Sequence, residues 1–165
     1  FRDHFKRGEE LIDFDEACIE IRAQHDRFVE IVGREPDYFE AHAVMSKNLN
    51  RAISAVAQEL GLKEQKASFD PAAVVHCGDT DLRMVMRSME PGYEPKEAIM
   101  QTVRGMVDGE TVVFVCHPGY LDRFILENSS LTTDRTKEVD ALIDPELRAW
   151  LESQSDLRLI DYRDL

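Results

Sequence analysis

The sequence predicts an α/β domain built on a mainly parallel sheet. Segments of strand character alternate with helices of about ten residues or more, the length needed to cross back over a sheet between parallel strands. The run Val112 to Cys116 is unbroken apolar sequence rich in Val, the pattern of a strand covered on both faces. A chain of 165 residues with 43% hydrophobic content is enough for one domain with a sizeable core.

Each element has its own justification. From Asp15 to Val32, the side chains of Cys18, Ile21, Phe28 and Val32 recur at helical spacing, and Gly33 offers a C-terminal stop. His25 lies on that stripe, which predicts a packing histidine rather than a ligand. Pro36 and Asp37 make a turn, and Tyr38 to Ala43 (YFEAHA) reads as a short strand with His42 near its end. Asn48 or Asn50 can cap a helix to Leu60, with Ala52, Ile53, Val56 and Ala57 on one face and Gly61 closing it.

Residues 62–95 are less patterned, with short strands at Ala72 to His76 and Leu82 to Met86 before a Pro91-Gly92 turn. Glu97 to Val107 is a helix ended by Asp108-Gly109, and the strand Thr111 to Cys116 follows. Ser130, Thr132 or Thr133 can cap a helix through Leu142. Pro145 takes the first position of another, and Leu157 to Tyr162 (LRLIDY) reads as the last strand.

Bulk properties exclude some functions. A net charge of -13 argues against a nucleic-acid partner and against anionic membranes, both of which need a basic surface. No apolar run approaches the roughly 20 residues that span a bilayer, and a cytoplasmic protein is the default. Cys18, Cys77 and Cys116 are odd in number and widely spaced, which fits reduced thiols.

Two histidines fall at predicted strand ends: His42 after YFEA, and His117 in Cys-His-Pro-Gly. In α/β sheets the C-terminal strand edge is where ligands bind and catalytic side chains collect. A histidine bonding within a tight Pro-Gly turn is the plainer alternative for His117. His76, near Cys77, Asp79 and Asp81, is a weaker candidate, because the spacing of Asp79 and Asp81 is not that of a calcium loop. Cys77 and Cys116 with a neighbouring His have the chemistry of zinc ligands but not the spacing.

Several fragments, in order, resemble the YdjC-like carbohydrate deacetylase family, which includes chitooligosaccharide deacetylases. EIRAQHDRFVEIVGREPDYFEAH is similar to the family's acidic helix leading through Gly-x-x-Pro to Asp-x-His-x-His. VVFVCHPGYLD resembles its His-Pro-Gly motif. SSLTTDRTKEVDALIDPELRAWL resembles the segment beyond, through Ser130, Arg135, Glu138 and Leu142, and LRLIDYRDL fits as its last strand. The resemblance implies a distorted (β/α) barrel of the polysaccharide deacetylase type, of which residues 1–165 form a single domain amounting to the C-terminal two-thirds or so. The family's Asp-Asp-Phe-Gly and Gly-Leu-His motifs have no counterpart before His42 and are expected upstream of Phe1.

The implied activity is hydrolysis of the N-acetyl group of an amino sugar or chitooligosaccharide, assisted by a divalent metal ion, Zn or Mg. By the same resemblance His42 is a metal ligand, His117 the general acid or an electrostatic partner of the tetrahedral intermediate, and Arg135 a substrate-binding residue. Glu40 stands where the motif has Asp and is expected to hold His42 by a hydrogen bond; Val44 stands where it has the second His and can bind nothing polar. Val44 and the missing upstream motifs support a competing reading, a catalytically impaired carbohydrate-binding or interaction domain on the same barrel. An incomplete barrel also exposes apolar surface, which favours a homodimer.

Overall fold

The computed structural model describes Arg7 and residues 9–41, 44, 46–66 and 74–165. These fall into two compact units, one drawn from Phe1–Phe69, Val75–Asp81 and Ile160–Leu165, the other from Asp70–Val74 and Leu82–Leu159. Among the described residues, no helix is long and apolar enough to cross a membrane.

The first unit opens with helix α1, Phe14–Val32. Asp13 caps it by accepting from the Asp15 and Glu16 amides at 2.9 and 3.0 Å, and Gly33 ends it at φ 76°, a left-handed conformation that glycine adopts without penalty. Helix α2, Lys47–Leu60, is capped by Ser46 and not by Asn48 or Asn50. The Ser46 hydroxyl accepts from the Leu49 amide at 3.0 Å and donates to Glu10 at 2.7 Å. Asn48 instead donates its side-chain amide to the Ile12 carbonyl at 2.8 Å. Both side chains tie the start of α2 to the segment before α1, a tertiary constraint that helix propensity cannot register.

Ala17 and Cys18 of α1 pack on Ala52 and Val56 of α2, with Ile12, Phe14, Ile21, Phe39 and Leu49 around them. Small side chains at the contact let two helices approach closely. Strand β1, Tyr38–Glu40, runs parallel to β2, Lys63–Gln65, which pairs antiparallel with β3, Val74–Cys77, through Gln65 and Cys77. The Lys-Glu-Gln of β2 carries no apolar pattern and was not anticipated. Gly78, at φ 59°, turns β3 into β4, Thr80–Val85.

The predicted last strand, Leu157 to Tyr162, does not form. A strand requires a neighbour for its backbone groups, and no described strand pairs with this segment, leaving Leu159 and Ile160 exposed. Tyr162 is anchored differently: its ring stacks on Tyr38 at 3.7 Å between centroids, and its hydroxyl donates to Gln65.

In the second unit, Leu82–Val85 of β4 run parallel to β5, Thr111–Phe114. Between them lies α3, Pro95–Arg104, which stops at Gly105 and so leaves Met106 and Val107, the end of the predicted helix, outside the observed one. Beyond β5 come α4 (Arg123–Asn128), α5 (Thr133–Leu142) and α6 (Pro145–Glu152), the last with Asp144 as cap and proline at its first turn, as expected. Helix α3 packs against α5. Strand β5 is half-buried throughout instead of covered on both faces; among the described residues it pairs with β4 alone. The protein is thus a mixed α/β structure with parallel pairs β1–β2 and β4–β5 and an antiparallel pair between β2 and β3.

His25 is buried on α1, as its place in the stripe predicts, and its environment is charged. Its Nε2 lies 2.6 Å from Glu35 and its Nδ1 3.1 Å from Asp26, while the ring meets Phe39 edge-on. Hydrogen bonding to Glu35, then to Asp26, raises the imidazole pKa, so the folded state holds the proton more tightly than the unfolded chain. That contribution is full below the unfolded value of about 6.5 and is lost as pH rises through the folded one. The stability advantage of the wild type over His25→Gln should therefore shrink as pH rises above about 6.5 in urea titrations; an advantage that grows with pH would contradict the pairing. Val56→Ala, at a fully buried α1–α2 contact, should cost about 2 kcal/mol in the same assay.

Candidate active site

His117 lies just beyond β5, whose ladder is extended by a hydrogen bond of 2.7 Å from the Val115 amide to the Val85 carbonyl. The strand then gives way to Cys116-His117-Pro118-Gly119. Proline has no amide hydrogen, so residues 117–119 carry two backbone donors, and both end on α5. The His117 amide donates to Glu138 Oε2 at 2.6 Å, and the Gly119 amide to the Arg135 carbonyl at 3.3 Å. Arg135 and Glu138 are three residues apart on a helix and therefore present neighbouring positions of one face.

Glu138 is fully buried. Its other oxygen accepts from the Tyr93 hydroxyl at 3.0 Å, and Tyr93 is itself buried. The 2.6 Å contact to the His117 amide has the shortness of a charge-assisted bond. Burial, and then the Glu138 carboxylate, hold the Tyr93 hydroxyl well above its usual pKa.

The imidazole of His117 is half-buried, with Nδ1 3.4 Å from the Ser88 hydroxyl, a group only 1% exposed. No described residue hydrogen-bonds Nε2. In the neutral ring a serine hydroxyl that donates to Nδ1 leaves the proton on Nε2; in the imidazolium both nitrogens carry a proton and Nδ1–H donates to the serine oxygen.

Of the other predicted site residues, His42 lies outside the described residues. Glu40 ends β1, is exposed, and lines a cavity of about 730 Å³ in the first unit with Glu20, Gln24, Tyr38, Phe39 and Ala41. That volume falls within the usual range for a small-molecule cleft. Val44 is half-buried. Arg135 donates from Nε to the Leu131 carbonyl at 2.9 Å, and its side chain lies alongside Gly119. Among the described residues no three His, Cys, Asp or Glu side chains converge to hold a metal ion. His76 is exposed and bonds Asp81 at 2.6 Å, the solvated-turn arrangement.

Ser88 and Tyr93 had no sequence signal, since both sit in the weakly patterned stretch. Glu138 did have one: it shares a helix face with Ala141, which is also buried, so an acidic residue falls where the helix points inward.

Cys116 provides a chemical probe of this environment. Burial, reinforced by the Glu138 carboxylate, pushes its thiol up to about 11. Its alkylation by iodoacetamide, read by peptide mass spectrometry, should climb about tenfold per pH unit from pH 7 to about pH 9.5. A rate that levels off near pH 8.5, as for an exposed thiol, would place Cys116 in a different setting.

The family described as YdjC-like protein matches residues 1–153. Carbohydrate deacetylase 2 of Listeria innocua serovar 6a is 27% identical over 154 residues, covering 92% of this chain and 60% of the relative. The chitooligosaccharide deacetylase of Klebsiella pneumoniae subsp. pneumoniae is 28% identical over 167 residues, covering 95% of this chain and 64% of the relative. A solved structure from Enterococcus faecalis V583, provisionally assigned as a cellobiose-phosphate cleavage protein, shares the fold at a TM-score of 0.70 and 22% identity, over 93% of this chain and 61% of its own. The chain thus spans less than two thirds of the length of these relatives. By the match over residues 1–153, it belongs to the YdjC-like protein family.

Proposed function

We propose that this chain is part of a carbohydrate deacetylase that hydrolyses the N-acetyl group of an amino sugar or chitooligosaccharide, on a distorted (β/α) barrel completed by sequence outside the 165 residues. The observation that carries the reading is the state of His117. It sits past the C-terminal end of a parallel strand, on backbone gripped by α5, with one ring nitrogen turned to Ser88 and the other bonded by none of the described residues. The names of the relatives support the substrate class.

In the proposed reaction, water oxygen bonds to the acetamide carbonyl carbon and the carbonyl C–N bond breaks, giving acetate and a free amine. The departing nitrogen needs a proton as that bond breaks, and His117, acting as the imidazolium, supplies it from Nε2 and is left as the neutral imidazole. In the imidazolium both ring nitrogens carry a proton, so Nδ1–H donates to the Ser88 hydroxyl and that contact orients the ring while Nε2–H is the one delivered. The Arg135 guanidinium, beside Gly119, is the proposed contact to the sugar. A divalent ion, Zn or Mg, remains the proposed cofactor, with His42 as this chain's ligand and Glu40 as that ligand's partner. The described residues do not complete such a site, and no step here passes through it.

The test is acetate release from N-acetylglucosamine oligomers by the complete gene product, with and without added divalent metal. His117→Ala should lower kcat by about 10²–10⁴-fold, and unchanged release would remove His117 from the proton-donor role. Absence of release from the folded wild type with every metal would instead favour the binding or interaction domain suggested by Val44.

A further inference from the structure

The His117 loop is held from one side by α5, and the hold depends on a residue that cannot itself touch a substrate. Glu138 is 0% exposed, yet its two oxygens receive the His117 amide and the Tyr93 hydroxyl. Burying a carboxylate is unfavourable unless it is well hydrogen-bonded, so these two donors are what permit it to be there. We propose that Glu138 is a positioning residue for His117: its reach across to the His117 amide, locked by Tyr93, sets where the imidazole stands relative to the sugar. This inference rests on the deacetylase reading and deepens it.

Geometry favours reach over charge as the working property. The Gly119 amide, two residues on, is bonded to the neutral Arg135 carbonyl one helical turn away, so the loop is docked onto the helix face as a unit. A glutamine at 138 could keep both contacts. Its carbonyl would accept from the His117 amide, and its NH₂ would donate to a Tyr93 hydroxyl that had turned round, because a phenol both donates and accepts. An aspartate keeps the charge but is one methylene shorter, and cannot span from α5 to the His117 amide while holding Tyr93. Misplacement of a reacting group by about 1 Å costs up to about 10²-fold in rate.

The experiment compares Glu138→Gln and Glu138→Asp in the complete gene product. Acetate release yields kcat and KM separately, and amide hydrogen exchange is followed at His117 and Gly119. The expected outcome is a Gln variant within about threefold of the wild-type kcat and an Asp variant lowered by more than about tenfold, with KM little changed in either. The His117 and Gly119 amides should exchange faster in the Asp variant only, while β4 and α3 keep their protection. An Asp variant as active as the Gln variant, or a loss carried by KM, would overturn the proposal. A wild type that releases no acetate would overturn the deacetylase reading, and the exchange rates would still decide whether Glu138 holds the loop. If the Asp variant does not fold, Tyr93→Phe, which unlocks Glu138 while leaving its length intact, should show the same accelerated exchange at His117; unchanged exchange there would count against the latch.

Discussion

The second unit depends on the carboxylate of Glu138 being satisfied where it is fully buried. Helix α5 can pack with this side chain inward because the Tyr93 hydroxyl and the His117 amide meet its two oxygens. The dependence is mutual. The His117 amide lies past the strand ladder, beside a proline that donates nothing, and without Glu138 it would be a partially buried donor needing another acceptor. One interaction therefore joins the loop that follows β5, the segment that precedes α3, and the inward face of α5.

The first unit is organised on different terms. Its centre is a close contact of small residues, Ala17 and Cys18 on Ala52 and Val56, in which packing itself holds the helices. Polar groups work at its margins, where Ser46 and Asn48 bind the start of α2 to Glu10 and Ile12. Such a scaffold sets the direction of β1, and with it Glu40 at the edge of the cleft. In the second unit the polar contact is central because the backbone to be fixed is a loop, which has no ladder of its own.

The asymmetry of the two His117 nitrogens follows from this arrangement. Fixing the backbone through its amide leaves the ring free to be oriented by another group, and Ser88 is buried beside Nδ1 to do that. Separate control of where a histidine stands and how its ring is turned is what a proton donor needs. Cys116, the preceding residue, is kept a thiol by burial, with the Glu138 carboxylate reinforcing it.

Local sequence determined much of this protein. Helical spacing and terminal glycines located α1 and the end of α2, Pro145 opened α6, and the Val-rich run before His117 located β5, because hydrophobic period and backbone stereochemistry act within a few residues. The Cys-His-Pro-Gly stretch marked His117 as the residue to watch for the same reason. Tertiary structure decided what depends on partners distant in the chain. It made a strand of Lys63–Gln65 because β1 and β3 supply ladders there, and denied one to Leu157–Tyr162, where no described strand pairs. It moved the α2 cap to Ser46 and left β5 half-covered. Above all it brought Ser88, Tyr93 and Glu138 to His117 across 21 to 29 positions of sequence, a convergence that no local pattern encodes because hydrogen bonds depend on distance in space and not along the chain.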